Sequence, residues 1–457
     1  MTAALAPRKA FAVWFKDLDR WDPISFRRIS WKWPKNVMQP IGSFLRPKKE
    51  KVDRVKHRFS DLQPITIHFD GSIDKREVDS NREYTMDLFF ARPGDIVVAK
   101  IDLKNGAVAI VPDWKNVVVT GHFAVYEPDR GKILPEYFHR IIQTGFFKKH
   151  LWRNKVGAEG RKEVRLKFFE AQEIPLPPLP VQEAIVKHWR AAQVAIAKSR
   201  ENIAKLESET LSQFFTFLKL KPPKVGDVPK AFAVSWKDFF RWSVSYNQAA
   251  LDSFDLSRGK YPVTDLGELL TYIQYGTSEK ANSFRRGTPI IRMNNIRDGV
   301  LDLADLKHIE LNAKERDRLL LQDGDVLFNR TNSKELVGKC AVFHEADAYT
   351  FASYLIRVKV SKDKALPDYV AFFLNSPLGR QQINALSRHI IGQANINSEE
   401  LKGIQICVPP LEVQCKIVDM VNRQRQRIAE ERKTAEERQA QAARELEEMI
   451  FGIRPVK

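Results

Sequence analysis

The sequence predicts an α+β protein made of two globular mixed α/β domains and two long helices, arranged as an internal duplication. Three observations support this prediction. Two segments from the first half of the chain return in the same order in the second half. Short strand-like runs alternate with short helical patterns within each half, and a long stretch with helical apolar spacing closes each half.

The duplication is visible at both ends of each copy. The segment RKAFAVWFKDLDRW at residues 8–21 returns as PKAFAVSWKDFFRW at residues 229–242, with nine of fourteen positions identical. The segment EIPLPPLPVQEAIV at residues 173–186 returns as QICVPPLEVQCKIV at residues 405–418, with eight of fourteen identical. The offset of about 220 to 230 residues is far longer than a solenoid repeat and indicates duplication of a whole module.

Each copy begins with a region whose pattern is typical of a mixed α/β domain. Runs such as DIVVAKI and VVVT in the first copy and DVLFNR in the second are rich in apolar and β-branched residues, and Gly, Pro or Asn punctuates the chain around them. This pattern predicts strands. Short helical patterns, such as residues 312–321, lie between these runs. We place the two domains at residues 1–178 and 231–409, with a linker containing Pro and Gly at residues 220–230.

A long helix is predicted after each domain, at residues 179–219 and 410–452, with a short tail at residues 453–457. The apolar spacing of the first helix follows Ile185, Trp189, Ala192, Ile196, Ser199, Ile203 and Leu206. The matching positions of the second helix are more polar: Ile417, Val421, Gln424, Ile428, Glu431, Ala435 and Arg438. About 40 helical residues form a rod of roughly 60 Å. Such rods either pack within the protein or hold two domains apart, and their equivalent positions in the two copies favour a spacer.

The composition indicates a folded protein with a polyanionic partner. The chain has 457 residues, of which 43% are hydrophobic and 29% charged, enough for sizeable cores. Lys and Arg number 75 against 57 Asp and Glu, a formal charge of +18, which favours nucleic acid as the partner. Three cysteines without finger spacing predict reduced thiols in a cytoplasmic protein. No apolar run long enough for a membrane span and no secretory signal are expected.

Motifs that carry chemistry are missing from the sequence. There is no GxxxxGK[ST] loop, no GxSxG, no HExxH and no NPPY-like or DPPY-like methyltransferase tetrapeptide, and the nine His residues lack metal-ligand spacing. We therefore expect no catalytic residue, no metal site and no cofactor in this chain. Together with the basic charge, this favours a binding protein over an enzyme.

Several segments of the second copy match a known family. They are TYIQYGTS (271–278), IIRMNNIRDGVLD (290–302), DGDVLFNRTNSKELVGKCAVF (323–343) and IGQANINSEELKGIQICVPPLEVQCKIV (391–418). The same order of segments occurs in both copies. With these segments in this order, the chain resembles the specificity subunits of type I restriction-modification enzymes over nearly its whole length.

The resemblance implies a function without chemistry in this chain. Such subunits carry two target-recognition domains that each bind one half of a bipartite DNA sequence, and antiparallel spacer helices fix the gap. Two modification subunits would bring S-adenosylmethionine to methylate adenine, and two restriction subunits would add ATP- and Mg-dependent translocation and cleavage. The alternative is a free-standing double-headed DNA-binding regulator. A nuclease or methyltransferase with a fused DNA-binding part and a pure coiled-coil scaffold fit the sequence less well.

The candidate DNA-binding residues of the second copy are Arg, Lys, Asn, Gln, Ser, Thr and Tyr in loops that follow predicted strands, the residue types that commonly contact phosphates and bases. They are Tyr275, Thr277, Ser278, Lys280, Arg285, Arg286, Asn294, Asn295, Arg330, Asn332, Lys334, Tyr354, Gln393 and Asn395. The alternative for the Asn and Ser residues is that they only cap turns.

In the first copy, the corresponding candidates are Lys100, Lys104, Asn105, His122, Lys155, Arg161 and Lys162. His122 aligns with Tyr354, and both either contact a base or pack. Lys148, Lys149 and His150 are interpreted as a solvated charged face. The segment RPKKEK at residues 46–51 is either a phosphate-binding arm or a flexible loop. Trp31, Trp33 and Trp152 lie among basic residues, where we expect core packing rather than base stacking.

Overall fold

The computed structural model describes residues 31–77, 86–156, 163–221, 233–234, 255–284, 286–333, 336–390 and 393–456. The repeated segment at residues 8–21, and all but residues 233–234 of its copy, lie outside this part of the chain. The chain forms two compact units: domain 1, Met1–Ser199 with Thr434–Lys457, and domain 2, Arg200–Lys433. Their boundaries fall within the two long helices, so that each helix contributes to both domains.

The described residues of domain 1 form two sheets and a strand pair. Its strands are β1 Met38–Pro40, β2 Leu45–Lys48, β3 Glu50–Lys51, β4 Gln63–Ile67, β5 Ile73–Lys75, β6 Leu88–Phe90, β7 Ile96–Ala99, β8 Val108–Ile110, β9 Val117–Thr120, β10 Phe123–Pro128 and β11 Glu173–Pro175. Its helices are α1 Pro135–Gln143, α2 Gly145–Arg153, α3 Leu166–Glu170 and the first half of α4 Leu179–Leu218. The sheet orders are β2-β10-β7-β8 and β3-β6-β9-β4-β5, and β1 pairs with β11.

Domain 2 has more strands. They are β12 Val263–Asp265, β13 Leu270–Tyr275, β14 Thr288–Ile291, β15 Ile296–Arg297, β16 Val300–Leu301, β17 Lys307–Ile309, β18 Val326–Asn329, β19 Thr331–Asn332, β20 Cys340–Val342, β21 Thr350–Phe351, β22 Leu355–Val360, β23 Arg388–Ile390, β24 Gln393–Asn395 and β25 Gln405–Cys407. The remaining helices are α5 Ala313–Leu319, α6 Pro367–Asn375, α7 Pro377–Leu386, α8 Ser398–Lys402 and α9 Leu411–Phe451. The last of these runs from domain 2 into domain 1.

The two domains repeat the same sheet topology. The antiparallel order β13-β22-β18-β20 in domain 2 matches β2-β10-β7-β8 in domain 1. A parallel pair, β14 with β21, matches β4 with β9, and the pair β12–β25 matches β1–β11. Among the described residues, a β15–β16 hairpin and a β19-β24-β23 sheet are found in domain 2 and not in domain 1. The predicted fold class, two mixed α/β domains in an internal duplication with long helices, is thereby confirmed.

A shared turn explains one of the repeated motifs. The Gly-Asp pairs Gly94-Asp95 and Gly324-Asp325 precede the central strands β7 and β18. Both glycines have positive φ, +83° and +86°, which a residue with a side chain rarely adopts. Each buried Asp carboxylate accepts the backbone N–H three residues before it, from Arg92 at 2.7 Å and from Gln322 at 2.9 Å. The turn fixes the start of the strand that leads to the candidate site.

Each long helix is attached to its domain by a buried glutamine at the equivalent position of the repeat. Gln182 at the start of α4 accepts the N–H of Leu134 at 2.9 Å and donates to the carbonyls of Lys132 and Pro177 at 2.8 and 2.7 Å. Gln414 at the start of α9 accepts the N–H of Leu366 at 2.8 Å. Its amide donates to Lys364 and Pro409 carbonyls at 3.3 and 2.8 Å. Both glutamines are 0% exposed, which explains the Val-Gln pair in both repeats.

The long helices pack antiparallel where domain 1 contains both of them. His188 of α4 contacts Glu445 of α9 at 2.9 Å, and Arg438 of α9 donates to Ser199 of α4 at 3.4 Å. Residue numbers therefore rise along α4 as they fall along α9. In domain 2, Arg432 of α9 pairs with Glu207 of α4 at 3.0 Å. Among the described residues, no helix combines the length and apolarity that a membrane span requires.

Candidate DNA interface

In domain 2, four candidate residues lie along one edge of the β13-β22-β18-β20 sheet, namely the edge where β13 and β18 end and β22 begins. Strand β13 ends at Tyr275, β18 is followed by Arg330, β19 carries Asn332, and the turn before β22 carries Tyr354. The Arg330 N–H donates to the Tyr354 carbonyl at 3.0 Å, and the Arg330 carbonyl accepts from Ile396 at 2.9 Å. We call Tyr275, Arg330, Asn332 and Tyr354 the domain 2 edge cluster. Within this cluster, the backbone of Arg330 is hydrogen-bonded on one side to Tyr354 and on the other to Ile396.

Arg330 and Tyr275 form the most defined side-chain contact of the edge cluster. The guanidinium lies over the Tyr275 ring, 4.9 Å from its centroid. The Tyr275 hydroxyl accepts the N–H of Ser398 at 2.9 Å, which fixes the ring. Within the described ranges, no carboxylate pairs with Arg330, and its buried Nε has no hydrogen-bond partner. Tyr275 is 38% exposed and Tyr354 52% exposed, so both rings are available to a ligand.

The other candidates of the second copy divide into three groups. Thr277 is held in place because its N–H donates to Phe351 at 3.0 Å and its carbonyl accepts from Ser353 at 2.7 Å. Ser278, Lys280 and Arg286 are exposed around it. Asn332 is half-buried, with its amide 3.6 Å from the Met293 sulfur. Arg285 and Lys334 lie outside the described part of the chain, and the side chain of Gln393 is not described. The first-copy candidates Arg161 and Lys162 also lie outside it.

Two asparagines that were candidates are used inside the domain. Asn295 is 3% exposed. Its oxygen accepts the Arg292 N–H at 3.0 Å, and its amide donates to the Asp302 and Asp305 carbonyls at 2.8 and 3.0 Å. Asn395 accepts from the Thr331 hydroxyl at 2.9 Å. The turn-capping alternative therefore describes Asn295, and we leave it out of the interface.

The hairpin that follows Asn294 and Asn295 binds a helix. Asn294 is exposed, but Asp298 in the β15–β16 turn forms an ion pair with Arg432 of α9. The next residue, Gly299, has φ +77° and lies so close to Arg425 that a β-carbon there would be 2.4 Å from its guanidinium. This hairpin attaches domain 2 to its own part of α9.

In domain 1, the corresponding edge has the same backbone geometry and different side chains. The Lys100 N–H donates to the His122 carbonyl at 3.1 Å, as Arg330 does to Tyr354. The Lys100 ammonium donates to the Gly121 carbonyl at 2.6 Å, and His122 is exposed. Lys104 donates to the Ile101 carbonyl at 2.6 Å and Asn105 to Asp102 at 3.1 Å. Domain 1 thus carries the ammonium groups of Lys100 and Lys104 at this edge, whereas domain 2 carries the guanidinium of Arg330 over the Tyr275 ring.

Two interpretations of basic segments in domain 1 need correction. The segment at residues 46–51 is not a flexible loop, because it forms most of β2 and all of β3, with Lys48 bound to Asp95 at 3.2 Å. Phosphate binding by this segment stays a prediction. Lys148 and His150 are half-buried rather than solvated: Lys148 donates to Phe69 at 3.0 Å. Burial lowers the pKa of His150, whose ring lies 2.6 Å from the Gln172 side chain.

Of the three tryptophans that lie among basic residues in the sequence, two are packed and one is exposed. Trp31 packs against Phe146 with ring centroids 5.3 Å apart, and the Trp33 indole donates to the Ile450 carbonyl at 2.8 Å, as expected for packing residues. Trp152 is 53% exposed, with the Lys155 ammonium 3.1 Å from its ring centroid; the packing expectation was wrong for this residue. In domain 2, Phe284 is 85% exposed beside Arg286. Sequence reasoning missed Phe284, and its only signal is a lone aromatic in a polar loop.

No group of three or more His, Cys, Asp or Glu side chains in the described part of the chain is arranged to hold a metal ion. Two of the three thiols, Cys340 and Cys407, are buried, and burial raises the pKa of Cys340 to about 12 and that of Cys407 to about 11. These cysteines are inert core residues at neutral pH.

Comparison with known proteins agrees with this class of site: two copies of one domain, each with a polar and cationic edge. The model of the type I restriction modification DNA specificity domain matches residues 76–207 and 256–437, one match in each copy. These matches cover more than half of the chain. The chain belongs to this family, the DNA specificity subunits of type I restriction-modification systems.

Named relatives show the same relationship at moderate identity. The EcoKI specificity subunit of Escherichia coli K12 is 28% identical over 304 residues, 64% of this chain and 60% of that protein. The StySPI specificity subunit of Salmonella potsdam is 25% identical over 294 residues, 63% of this chain and 58% of that protein. The chain thus matches about 60% of each relative's length.

A solved chain confirms the fold. It comes from work on the structural basis of complex assembly and conformational transition of the type I R-M system. It matches with a TM-score of 0.55 and 18% identity, covering 91% of this chain and 98% of the solved one.

Proposed function

We propose that this chain directs a type I restriction-modification complex to a bipartite double-stranded DNA target, with each domain binding one half. The chain itself contributes recognition, and partner subunits methylate adenine or cleave the DNA. One observation carries the proposal: Lys100 with His122, and Arg330 with Tyr354, occupy the same backbone position at the same sheet edge in two copies of one domain. Two equivalent but chemically different edges suit two different half-sites.

Charge supports DNA as the ligand. The formal charge of +18 and the half-buried cations Lys100 and Arg330 at the two edges would provide the attraction to phosphate that dominates DNA affinity. Base selection needs side chains that reach the groove in a fixed geometry. The held backbone of the domain 2 edge cluster satisfies that need.

The long helices suit a spacer between the half-sites and a surface for other subunits. The proposed partners are two modification subunits and two restriction subunits. S-adenosylmethionine, ATP and Mg would be held by those subunits and not by this chain. We place the complex in the cytoplasm, where its DNA target and reduced thiols are both found.

The test is genome-wide mapping of methylated adenine in cells with and without the gene for this chain, with the modification subunit expressed. We expect a motif of two half-sites separated by a fixed gap that disappears on deletion. An unchanged methylation pattern, together with no binding between this chain and the modification subunit, would contradict the proposal. It would favour the free-standing double-headed regulator.

A further inference from the structure

We propose that Arg330 selects a guanine in the half-site bound by domain 2, and that Tyr275 is a positioning residue that orients its guanidinium. This inference rests on the function proposed above and names the base that one of its sites recognises. It depends on three features of Arg330: a fixed backbone, a stacked side chain and an uncompensated charge.

The backbone of Arg330 is fixed by two different elements. Its N–H donates to the Tyr354 carbonyl at 3.0 Å, and its carbonyl accepts the Ile396 N–H at 2.9 Å. The flanking residue Asn329 is 0% exposed and ends strand β18. Arg330 therefore leaves the sheet from a rigid position, which base selection requires because hydrogen bonds tolerate errors of only a few tenths of an ångström.

The side chain is oriented by Tyr275. The guanidinium lies 4.9 Å from the centroid of the Tyr275 ring, a distance typical of a cation–π contact. The far end of the ring is fixed in position, because its hydroxyl accepts the backbone N–H of Ser398 at 2.9 Å. This contact holds the guanidinium over the ring and thus lowers the entropy that is lost when the fork binds a ligand.

The charge of Arg330 is not compensated by the described residues. The ion pairs of domain 2 involve other arginines, such as Arg357 with Asp325 at 3.5 Å and Arg292 with Asp305 at 3.4 Å. No described carboxylate pairs with Arg330, and its Nε is buried without a partner. The terminal amino groups of the fork remain for an acceptor outside the domain.

Guanine is the base whose acceptors match such a fork. Its N7 and O6 lie side by side in the major groove, and arginine bound to both is the commonest specific contact between protein and DNA. The Lys100 ammonium at the same position of domain 1 donates to its own backbone at Gly121, 2.6 Å away. A lysine is a point charge that cannot form the planar pair. The inference therefore applies to the half-site of domain 2 alone.

The experiment measures DNA binding by the purified complex of this chain with its modification subunit. The probes are duplexes of the mapped target in which each guanine in turn is replaced by 7-deazaguanine, which lacks the N7 acceptor. We expect one position, in one half-site, to lower affinity about tenfold or more. The Arg330→Ala complex should bind the natural duplex that much more weakly and no longer respond to the replacement. Arg330→Lys, whose ammonium can donate to N7 without forming the planar pair, should keep only part of the response.

A matched control separates this outcome from general loss of charge. Arg316→Ala removes an exposed arginine of helix α5 and should leave both affinity and the response to 7-deazaguanine unchanged. If Arg330→Ala weakens binding to all duplexes alike while the response persists, Arg330 contacts phosphate and the inference is wrong, although the proposed function stands. If the unaltered complex shows no sequence preference, the proposed function itself fails.

The positioning role of Tyr275 has its own test. Tyr275→Phe keeps the ring and should keep most of the response to 7-deazaguanine, whereas Tyr275→Leu removes the ring and should reduce the response several-fold. Thermal unfolding of both variants reports any general loss of stability. A Leu variant that unfolds earlier but keeps the full response would show that Tyr275 is only structural.

Discussion

Domain 1 and domain 2 share a framework and differ at the edge that it presents. Both contain a four-stranded sheet of the same order, a Gly-Asp turn before the central strand and a buried glutamine that attaches a long helix. At the edge, domain 1 carries Lys100 and His122, whereas domain 2 carries Arg330, Tyr354 and the ring of Tyr275. The comparison shows that packing keeps the framework alike in the two domains, whereas the side chains at the edge differ.

The two domains also differ in their histidines. In domain 1, burial lowers the pKa of His139 to about 3, so this imidazole is neutral in the folded protein at physiological pH. In domain 2, the two nitrogens of His344 lie 2.8 Å from Asp323 and 3.2 Å from Asp368. Burial opposes its charge, but the hydrogen bonds to these carboxylates raise the pKa of His344 overall. The domains should therefore respond to pH in opposite directions.

The largest expected effect tests the shared framework. Gln182→Leu and Gln414→Leu each leave a backbone N–H and two carbonyls without their buried partner. Each variant should lose about 3 kcal/mol of unfolding free energy, since every buried unsatisfied group costs about 1 to 3 kcal/mol. Chemical denaturation of each variant measures this loss of unfolding free energy. Similar losses in both variants would support equivalent frameworks, and a neutral Gln414→Leu would break the equivalence.

The next effect tests the difference between the edges. The double variant Arg330→Ala with Asn332→Ala should weaken recognition of one half-site by about tenfold and leave the other half unchanged. Adenine methylation of targets with single changes in either half measures this. Loss of selectivity at both halves would contradict the assignment of one half to each domain.

A smaller effect tests the histidines. His139 has a lowered pKa in the fold, so its contribution to stability is complete above pH 6.5 and is lost as the pH falls toward about 3. Domain 1 should lose about 1 kcal/mol between pH 6.5 and 5.5. His344 has a raised pKa, so its contribution is complete below pH 6.5 and is lost as the pH rises through its folded value. Hydrogen exchange of each domain from pH 5.5 to 8 checks both signs, and His344→Gln should remove the second trend.

The smallest effect tests domain 1. Lys100→Ala should weaken DNA binding to a similar degree for all sequences and reduce the salt dependence by about one phosphate contact. Binding measured between 50 and 200 mM salt gives this slope. A change in base preference with an unchanged slope would show that Lys100 contacts a base rather than a phosphate.

The sequence predicted the parts of the molecule that local pattern determines. The repeated segments at residues 173–186 and 405–418 marked the start of both long helices, and the strand-like run before Arg330 placed that residue at a strand end. Tertiary packing decided the rest. Asn295 and an exposed loop asparagine look alike in sequence, because only the approach of Asp302 and Asp305 distinguishes them. His150 in a basic run is half-buried because Gln172, far along the chain, packs against it.

The most direct test of the central claim, that two different edges bind half-sites separated by the long helices, is to shorten both helices together. Deleting residues 195–201 and 436–442 removes the contacting pair Ser199 and Arg438 with about two turns from each helix. The loss of about 10 Å equals about three base pairs. Mapping of methylated adenine should show both half-sites unchanged and the gap shortened by about three base pairs. A variant that folds and methylates with the original gap would contradict the account.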